Sequence, residues 1–303
     1  MMNYVLITAA RNEETVIRST LESVAAQTRL PDRWVIVDDG STDHTSAIVE
    51  EYVKRHHWIE LVRRAPRANR SFAGKVHAIN AGLEQLEALG AHFELLGNLD
   101  ADVSFERDYM EFLLERFARD VRLGVAGTPF TEDGGYDSTR DSFEGDKYVA
   151  GPCQLFRFAC FRDIGGYVAN PAGGVDWIAV MTARMKGWTV RAFPEKRFHH
   201  HRAMGTAERG RVAAMFAYGQ KDYYLGGSPL WQVFRAAYQT TKRPFVLGGL
   251  SLLVGYGWAA VTRVPRAVPP DLIRFHRREQ TRKLSAVFRA MLRFERVDAF
   301  RLP

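Results

Sequence analysis

Two aspartates separated by one residue, Asp100 and Asp102 in LGNLDADVSF, stand directly behind an apolar run. A second acidic pair, Asp38 and Asp39 in WVIVDDGSTD, has the same setting, and a single acid, Asp176 in GGVDW, precedes a helical pattern. Carboxylates spaced in this way can offer oxygen ligands to a hard divalent cation. Such a cation can neutralise a diphosphate as it departs. Three consecutive histidines, His199, His200 and His201, are followed by Arg202, an unusual run. Neutral imidazole suits Mn2+ more than Mg2+.

These acids need a scaffold that brings strand ends together. Apolar, β-branched runs over Tyr4–Ala10, Arg33–Asp39, Ile59–Arg63, Phe93–Leu99 and Val121–Phe130 predict strands. Ile17, Leu21, Val24 and Ala25 recur at helical spacing, with Asn12 as the expected cap. Further helices are expected over Gly74–Leu89, Glu106–Ala118 and Trp177–Lys186. This alternation predicts an α/β fold with a mostly parallel, right-handed sheet covered on both faces. Ligands of such sheets bind beyond the C-terminal ends of the strands, where both aspartate pairs fall. The polar, glycine-rich stretch from Thr131 to Tyr148 is expected to be a mobile loop that orders over the ligand.

Charge is distributed unevenly. From Arg263 to the last residue there are eleven Lys and Arg against four Asp and Glu, which leaves 31 of each sign before it. A neutral main domain argues against a nucleic-acid partner, and the basic tail points to anionic lipid. Phe245 to Thr262 carries no charge. Eighteen residues of helix rise about 27 Å, short of a bilayer core of about 30 Å. Basic residues flank the run on both sides (Lys242 and Arg243, then Arg263 and Arg266), which fits a re-entrant or interfacial segment. Leu284, Val287, Phe288, Met291 and Leu292 form one helical stripe bordered by basic residues. The expected organisation is a catalytic domain over 1–240 and a membrane-associating appendage over 241–303. The two cysteines, Cys153 and Cys160, have neither metal-ligand nor redox-motif spacing, and the N-terminal stretch reads as a strand, not a signal peptide.

The run LITAARNEE, VIVDDGSTDHT, GKVHAINAG, NLDADVSF and the later GG…D resembles family 2 of the inverting glycosyltransferases, over roughly residues 3–202. That resemblance implies a GT-A fold and transfer of one sugar from a nucleotide-diphospho-sugar to an acceptor hydroxyl, with Mn2+ or Mg2+ as cofactor. It implies that Ala9, Glu13 and Asp38 line the base and ribose pocket. It places Gly74 and Lys75 by the phosphates, where an ammonium suits a diphosphate. Asp100 then lies by the ribose and metal, and Asp102 binds the metal. Some relatives supply a histidine ligand after the last strand, taken here as His201 with His200 the alternative. Asp176 matches the acid that accepts the acceptor proton. A helix-capping role for it is also open. Val175 stands where the family has a second acid, and Ala9 where it commonly has proline.

Processive relatives carry a Gln-x-x-Arg-Trp motif that is missing here, which implies addition of one sugar. The acceptor is expected to be a glycan or a lipid-linked group at the cytoplasmic face of the cell membrane. Two other readings compete. A nucleotidyltransferase would need a glycine-rich phosphate loop that LITAARNEE lacks, and a non-catalytic nucleotide-binding module would not need Asp102 or Asp176.

Overall fold

The computed structural model describes residues 2–66, 72–133, 135–141, 145–170, 173–202 and 210–294. Parts of the stretch 131–148 therefore lie outside the described residues. The chain divides into two compact units, one of 1–171 and 175–202, the other of 172–174 and 203–303.

The first unit alternates strands and helices. In order these are β1 (Tyr4–Ala10), α1 (Ile17–Ala25), β2 (Arg33–Asp38), α2 (Thr45–Val53), β3 (Ile59–Arg63), α3 (Phe72–Ala88), β4 (Leu95–Leu99), β5 (Val103–Phe105), α4 (Tyr109–Arg119), β6 (Leu123–Gly127) and β7 (Phe130–Glu132). They continue with α5 (Ser138–Asp141), β8 (Cys153–Arg157), α6 (Phe158–Asp163), α7 (Val175–Met185), β9 (Thr189–Ala192) and β10 (Phe198–His200). Seven strands form one sheet in the order β3-β2-β1-β4-β8-β6-β9. β1, β2, β3 and β4 run parallel, and β8 is antiparallel to both its neighbours.

Strand alternation explains why both faces are covered. Tyr4 and Leu6 point into one core with Ile17 and Leu21 of α1, Tyr52 of α2 and Leu113 of α4. Val5 and Ile7 point into the other with Ile79 of α3, Phe161 of α6 and Val180 of α7. Side chains one apart on a strand face opposite ways, so an unbroken apolar run feeds both layers. The expected mostly parallel α/β architecture is what the chain adopts. Gly82 lets α3 lie close on the sheet, since a Cβ there would meet Ile7 at 2.6 Å.

Three details differ from expectation. Asn12 does not cap α1, whose preceding residue is Val16. Its backbone is left-handed (φ 55°), and its side chain accepts the Thr42 amide at 2.8 Å, so it braces the loop after β2. A second sheet of three short strands, β5-β10-β7, was not expected. Finally, the start of the stretch 131–148 is tied down. Thr131 bridges to Asp137, whose carboxylate accepts from Thr139 at 2.7 Å and pairs with Arg197 at 2.6 Å.

The second unit holds α8 (Arg211–Tyr224), α9 (Pro229–Gln239), α10 (Phe245–Val261) and α11 (Pro270–Leu292). The helices over 211–239 thus group with the C-terminal segment, whereas the sequence reading set the boundary near residue 240. Glycines explain the grouping. A Cβ on Gly255 would collide with the Phe216 carbonyl of α8, and one on Gly249 with the Ala236 carbonyl of α9. Among the described residues no helix is long and apolar enough to cross a membrane.

Candidate active site

The first unit's parallel strands end together at one edge of the sheet. β1 ends at Ala9–Ala10, paired with Val37–Asp38 of β2, and β4 delivers Asp100 one residue past its end. Asp38 is buried and fully engaged. It accepts the Ser41 amide at 2.8 Å and the Ser46 hydroxyl of α2. Asp39 pairs with Arg64 at 2.9 Å. The loop between them and α2 turns at Gly40, whose φ of +76° and packing on Pro66 leave no room for a side chain.

Gly74 and Lys75 sit in the first turn of α3, which lies over the same edge. Lys75 pairs with Asp100. Burial alone would lower the Lys75 ammonium, but the charges of Asp100, Asp176 and Asp102 outweigh it and raise its pKa. One half-buried ammonium therefore feels three of the carboxylates singled out in the sequence. The Asp102 carboxyl is raised by burial and by Asp100, against the opposing pull of His200, Arg202 and Lys75.

The register of β10 decides what each histidine does. His200 pairs with Val103, its side chain turned to the buried side with Phe198. Its Nε2 lies 3.5 Å from Asp102 Oδ1, and its Nδ1 lies 3.4 Å from Glu132. That Nδ1 is buried and makes no hydrogen bond. Two ligands of one ion with bonds of about 2.1 Å keep roughly this separation. Asp102 and His200 thus have the chemistry and the spacing to hold a divalent cation. His201, the residue chosen from sequence, points the other way. Its amide donates to the Asp102 carbonyl at 2.8 Å, but its ring meets Ser104 Oγ at 2.9 Å. Burial and the neighbouring His199 lower its pKa. A single-residue shift along a strand reverses the face, which is why composition alone could not choose between adjacent histidines.

Arg202 was not assigned a role from sequence. It forks onto the Glu13 carboxylate, with Nη1 to Oε1 at 3.2 Å, and its Nε lies 3.9 Å from Asp102. Glu13 is buried, and its amide donates to Thr45 Oγ1 at 2.8 Å. Its carboxylate therefore meets a guanidinium.

Asp176 is the second residue of α7. Tyr148 donates to its Oδ2 at 2.6 Å. Gly151 packs against the same carboxyl, so that a Cβ there would stand 2.9 Å from Oδ2 and 3.0 Å from Cγ. Asn98 of β4 holds the Gly151 carbonyl at 2.9 Å. Neither Tyr148 nor Gly151 carries a sequence signal of its own, because both lie in irregular chain between elements. Cys153 and Cys160 are free and buried, each with its thiol pushed up to about 12 by burial.

The chain resembles known proteins at two levels. The Glycosyl transferase family 2 profile matches residues 5–167, more than half of the chain. Poly-beta-1,6-N-acetyl-D-glucosamine synthase of Staphylococcus epidermidis is 32% identical over 124 residues, 40% of this chain and 27% of the synthase. The Staphylococcus aureus (strain COL) synthase is 30% identical over 122 residues, again 27% of its length. The chain thus aligns with little more than a quarter of these relatives. Among solved structures, a mannosyltransferase from Pyrobaculum calidifontis, in complex with GDP-Man and Mn2+, superposes with a TM-score of 0.57 at 18% identity. That match covers 96% of this chain and 81% of the other. S. aureus TarS 1-349 with UDP-GlcNAc gives 0.55 at 18% identity, covering 72% and 65%. The fold is therefore GT-A, and with the family profile matched across β1 to the end of α6, the chain belongs to glycosyl transferase family 2 and is a glycosyltransferase.

Proposed function

We propose that this chain is a metal-dependent, inverting glycosyltransferase that moves one sugar from a nucleotide-diphospho-sugar to an acceptor hydroxyl. The observation that carries this reading is the convergence of Lys75, Asp100, Asp102 and Asp176 at one strand edge, with His200 Nε2 at 3.5 Å from Asp102. Asp102 and His200 would hold the divalent cation, Mn2+ or Mg2+. When bound, that cation supplies positive charge against the donor diphosphate. Lys75 is positioned to leave Asp100 for the phosphates, and Ala9, Glu13, Asp38 and Gly74 border the nucleotide. The acceptor oxygen attacks the anomeric carbon as the bond to the diphosphate oxygen breaks, and its proton passes to Asp176. Tyr148 already donates to Asp176 Oδ2, so Oδ1 is the oxygen assigned to that proton. One displacement inverts the anomeric centre.

Two observations support single-sugar transfer at a membrane. Gln232 and Arg235 keep the spacing of the processive motif, but Ala236 follows where that motif has tryptophan. Both side chains are engaged within the second unit, Gln232 with the Leu252 carbonyl at 3.2 Å and Arg235 with Asp222. The α10 helix inverts the usual arrangement of a surface helix. Its small residues Gly248, Gly249, Gly255 and Ala259 face inward, while Leu247, Leu250, Val254, Trp258 and Val261 are exposed, Val261 at 81%. Phe288 and Met291 of α11 are likewise more than 60% exposed. Apolar surface of this extent, beside a basic helix, is the chemistry of an anionic membrane surface. A lipid-linked or cell-envelope glycan acceptor, at the cytoplasmic face, follows as the proposed partner.

The test is a donor panel of UDP- and GDP-sugars with purified full chain and Mn2+, reading release of nucleoside diphosphate and the anomeric configuration of the product. Release stimulated by acceptor, abolished by excess chelator and restored by Mn2+ is expected. Full activity in excess chelator would refute the metal, and a retained configuration would refute single displacement.

A further inference from the structure

The face of β10 opposite Asp102 carries a second group of metal-ligand type. His199 and His201 are two apart on an extended chain, so both rings project to the same side, with centroids 4.8 Å apart. β7 runs parallel to β10, with His199 opposite Thr131 and His200 opposite Glu132. The residue after β7, Asp133, is thereby brought alongside, and its Oδ1 lies 2.9 Å from His199 Nε2. One ligand atom from each of Asp133, His199 and His201 falls within 4.8 Å of the other two. Among the described residues no other such trio of His, Cys, Asp or Glu occurs.

We propose that Asp133, His199 and His201 form a zinc site, separate from the cation site of Asp102 and His200 and clipping the end of β7 to β10. Zinc is favoured over the cations expected at the reaction centre by the donor set. Two imidazoles and one carboxylate suit Zn2+, whereas Mg2+ and Mn2+ bind such nitrogen-rich sets weakly. Bonds of about 2.0–2.2 Å require ligand atoms about 3.3 Å apart, so metal binding draws the trio in from its present spread of up to 4.8 Å. The hydrogen bond from His199 to Asp133 already fixes one edge of the triangle. Three protein ligands leave one position for water. The clip would hold the two strands whose other faces bear Glu132 and His200, so its role is to position, and it forms no part of the transfer step.

The inference does not depend on the transfer reading. Chelator-treated full chain, without nucleotide, is titrated with Zn2+ by calorimetry and with Co2+ by its visible absorption. Wild type should bind Zn2+, and Co2+ should give the intense spectrum of a low-coordinate site. Asp133→Ala and His199→Ala should each weaken Zn2+ at least ten-fold, and Zn2+ should raise the melting temperature of wild type but not of His199→Ala. Asp133 is exposed, so its replacement leaves folding intact and keeps the comparison sound. Asp102→Asn should retain Zn2+ binding. Loss of Zn2+ binding in Asp102→Asn with no change in His199→Ala would overturn the proposal, because the metal would then occupy the reaction centre alone. Absence of Zn2+ binding in wild type would also overturn it.

Discussion

At the scale of single residues, the proposed base Asp176 is held by Tyr148 and Gly151, and a second acid, Asp102, is held at a cost. Asp176→Asn should reduce transfer about 100-fold or more while leaving nucleotide binding unchanged, because the base meets only the acceptor proton. Parallel kinetics and nucleotide calorimetry check this, and weakened nucleotide binding would point to a capping role. Gly151→Ala should lower turnover as well, since the added methyl would stand 2.9 Å from Asp176 Oδ2. Asp102 is the costly acid. Its folded pKa is raised by burial and by Asp100. The folded state therefore holds that proton more tightly than the unfolded chain does. The resulting penalty is present above the folded pKa and is relieved as pH falls through it. Asp102→Asn should accordingly melt no lower than wild type at pH 7, with the difference shrinking on acidification, yet lose metal-stimulated transfer. Thermal melts across pH without added metal test the sign. The acids and Lys75 were legible in the sequence because each stands behind an apolar run or at a helix start. The sequence offered His200 only as the alternative to His201 and assigned no role to Arg202, Tyr148 or Gly151, because their places arise from strand register and from contacts between distant segments.

At the scale of elements, the strands of the main sheet and several of its covering helices declared themselves, whereas the helices Thr45–Val53, Arg211–Tyr224 and Pro229–Gln239 and the three-residue strands did not. β1 and β3 run over the residues that apolar patterning marked, β1 as a buried central strand that feeds both helix layers and β3 as a half-buried edge strand. β5, β7 and β10 have three residues each, too few for any period to show, yet β10 carries His199 and His200. Nor could patterning reveal that β8 enters the sheet antiparallel, because direction leaves no trace in composition. The packing of α10 gives a prediction at this scale. Gly255→Ala should destabilise the second unit by about 1–3 kcal/mol through overpacking on the Phe216 carbonyl. Gly257→Ala, two residues on, has open space around it and should be neutral or slightly stabilising, since alanine favours helix. Equal melting of the two variants, in whichever solvent keeps the chain soluble, would contradict this account of helix contact.

At the scale of the whole molecule, the basic tail and the outward apolar row of α10 predict behaviour in the centrifuge. The full chain should sediment with vesicles rich in anionic lipid, stay bound in high salt through its apolar row, and be released by detergent. Replacing Leu247, Leu250 and Val254 together with serine should cut the bound fraction several-fold in high salt. A full chain that remains in the supernatant with such vesicles would remove the membrane assignment and leave the glycosyltransferase assignment standing. The fork of Arg202 onto Glu13 joins residues 189 positions apart in the chain. Synthesis proceeds from the N-terminus at about 5–20 residues per second. A nascent chain therefore exposes the first strand and its acidic neighbours for many seconds before the arginine that neutralises Glu13 leaves the ribosome. Until then Glu13 lacks its guanidinium, although Asp39 and Asp100 already have Arg64 and Lys75, and the proposed donor site is completed only after nearly all of the first unit has been made.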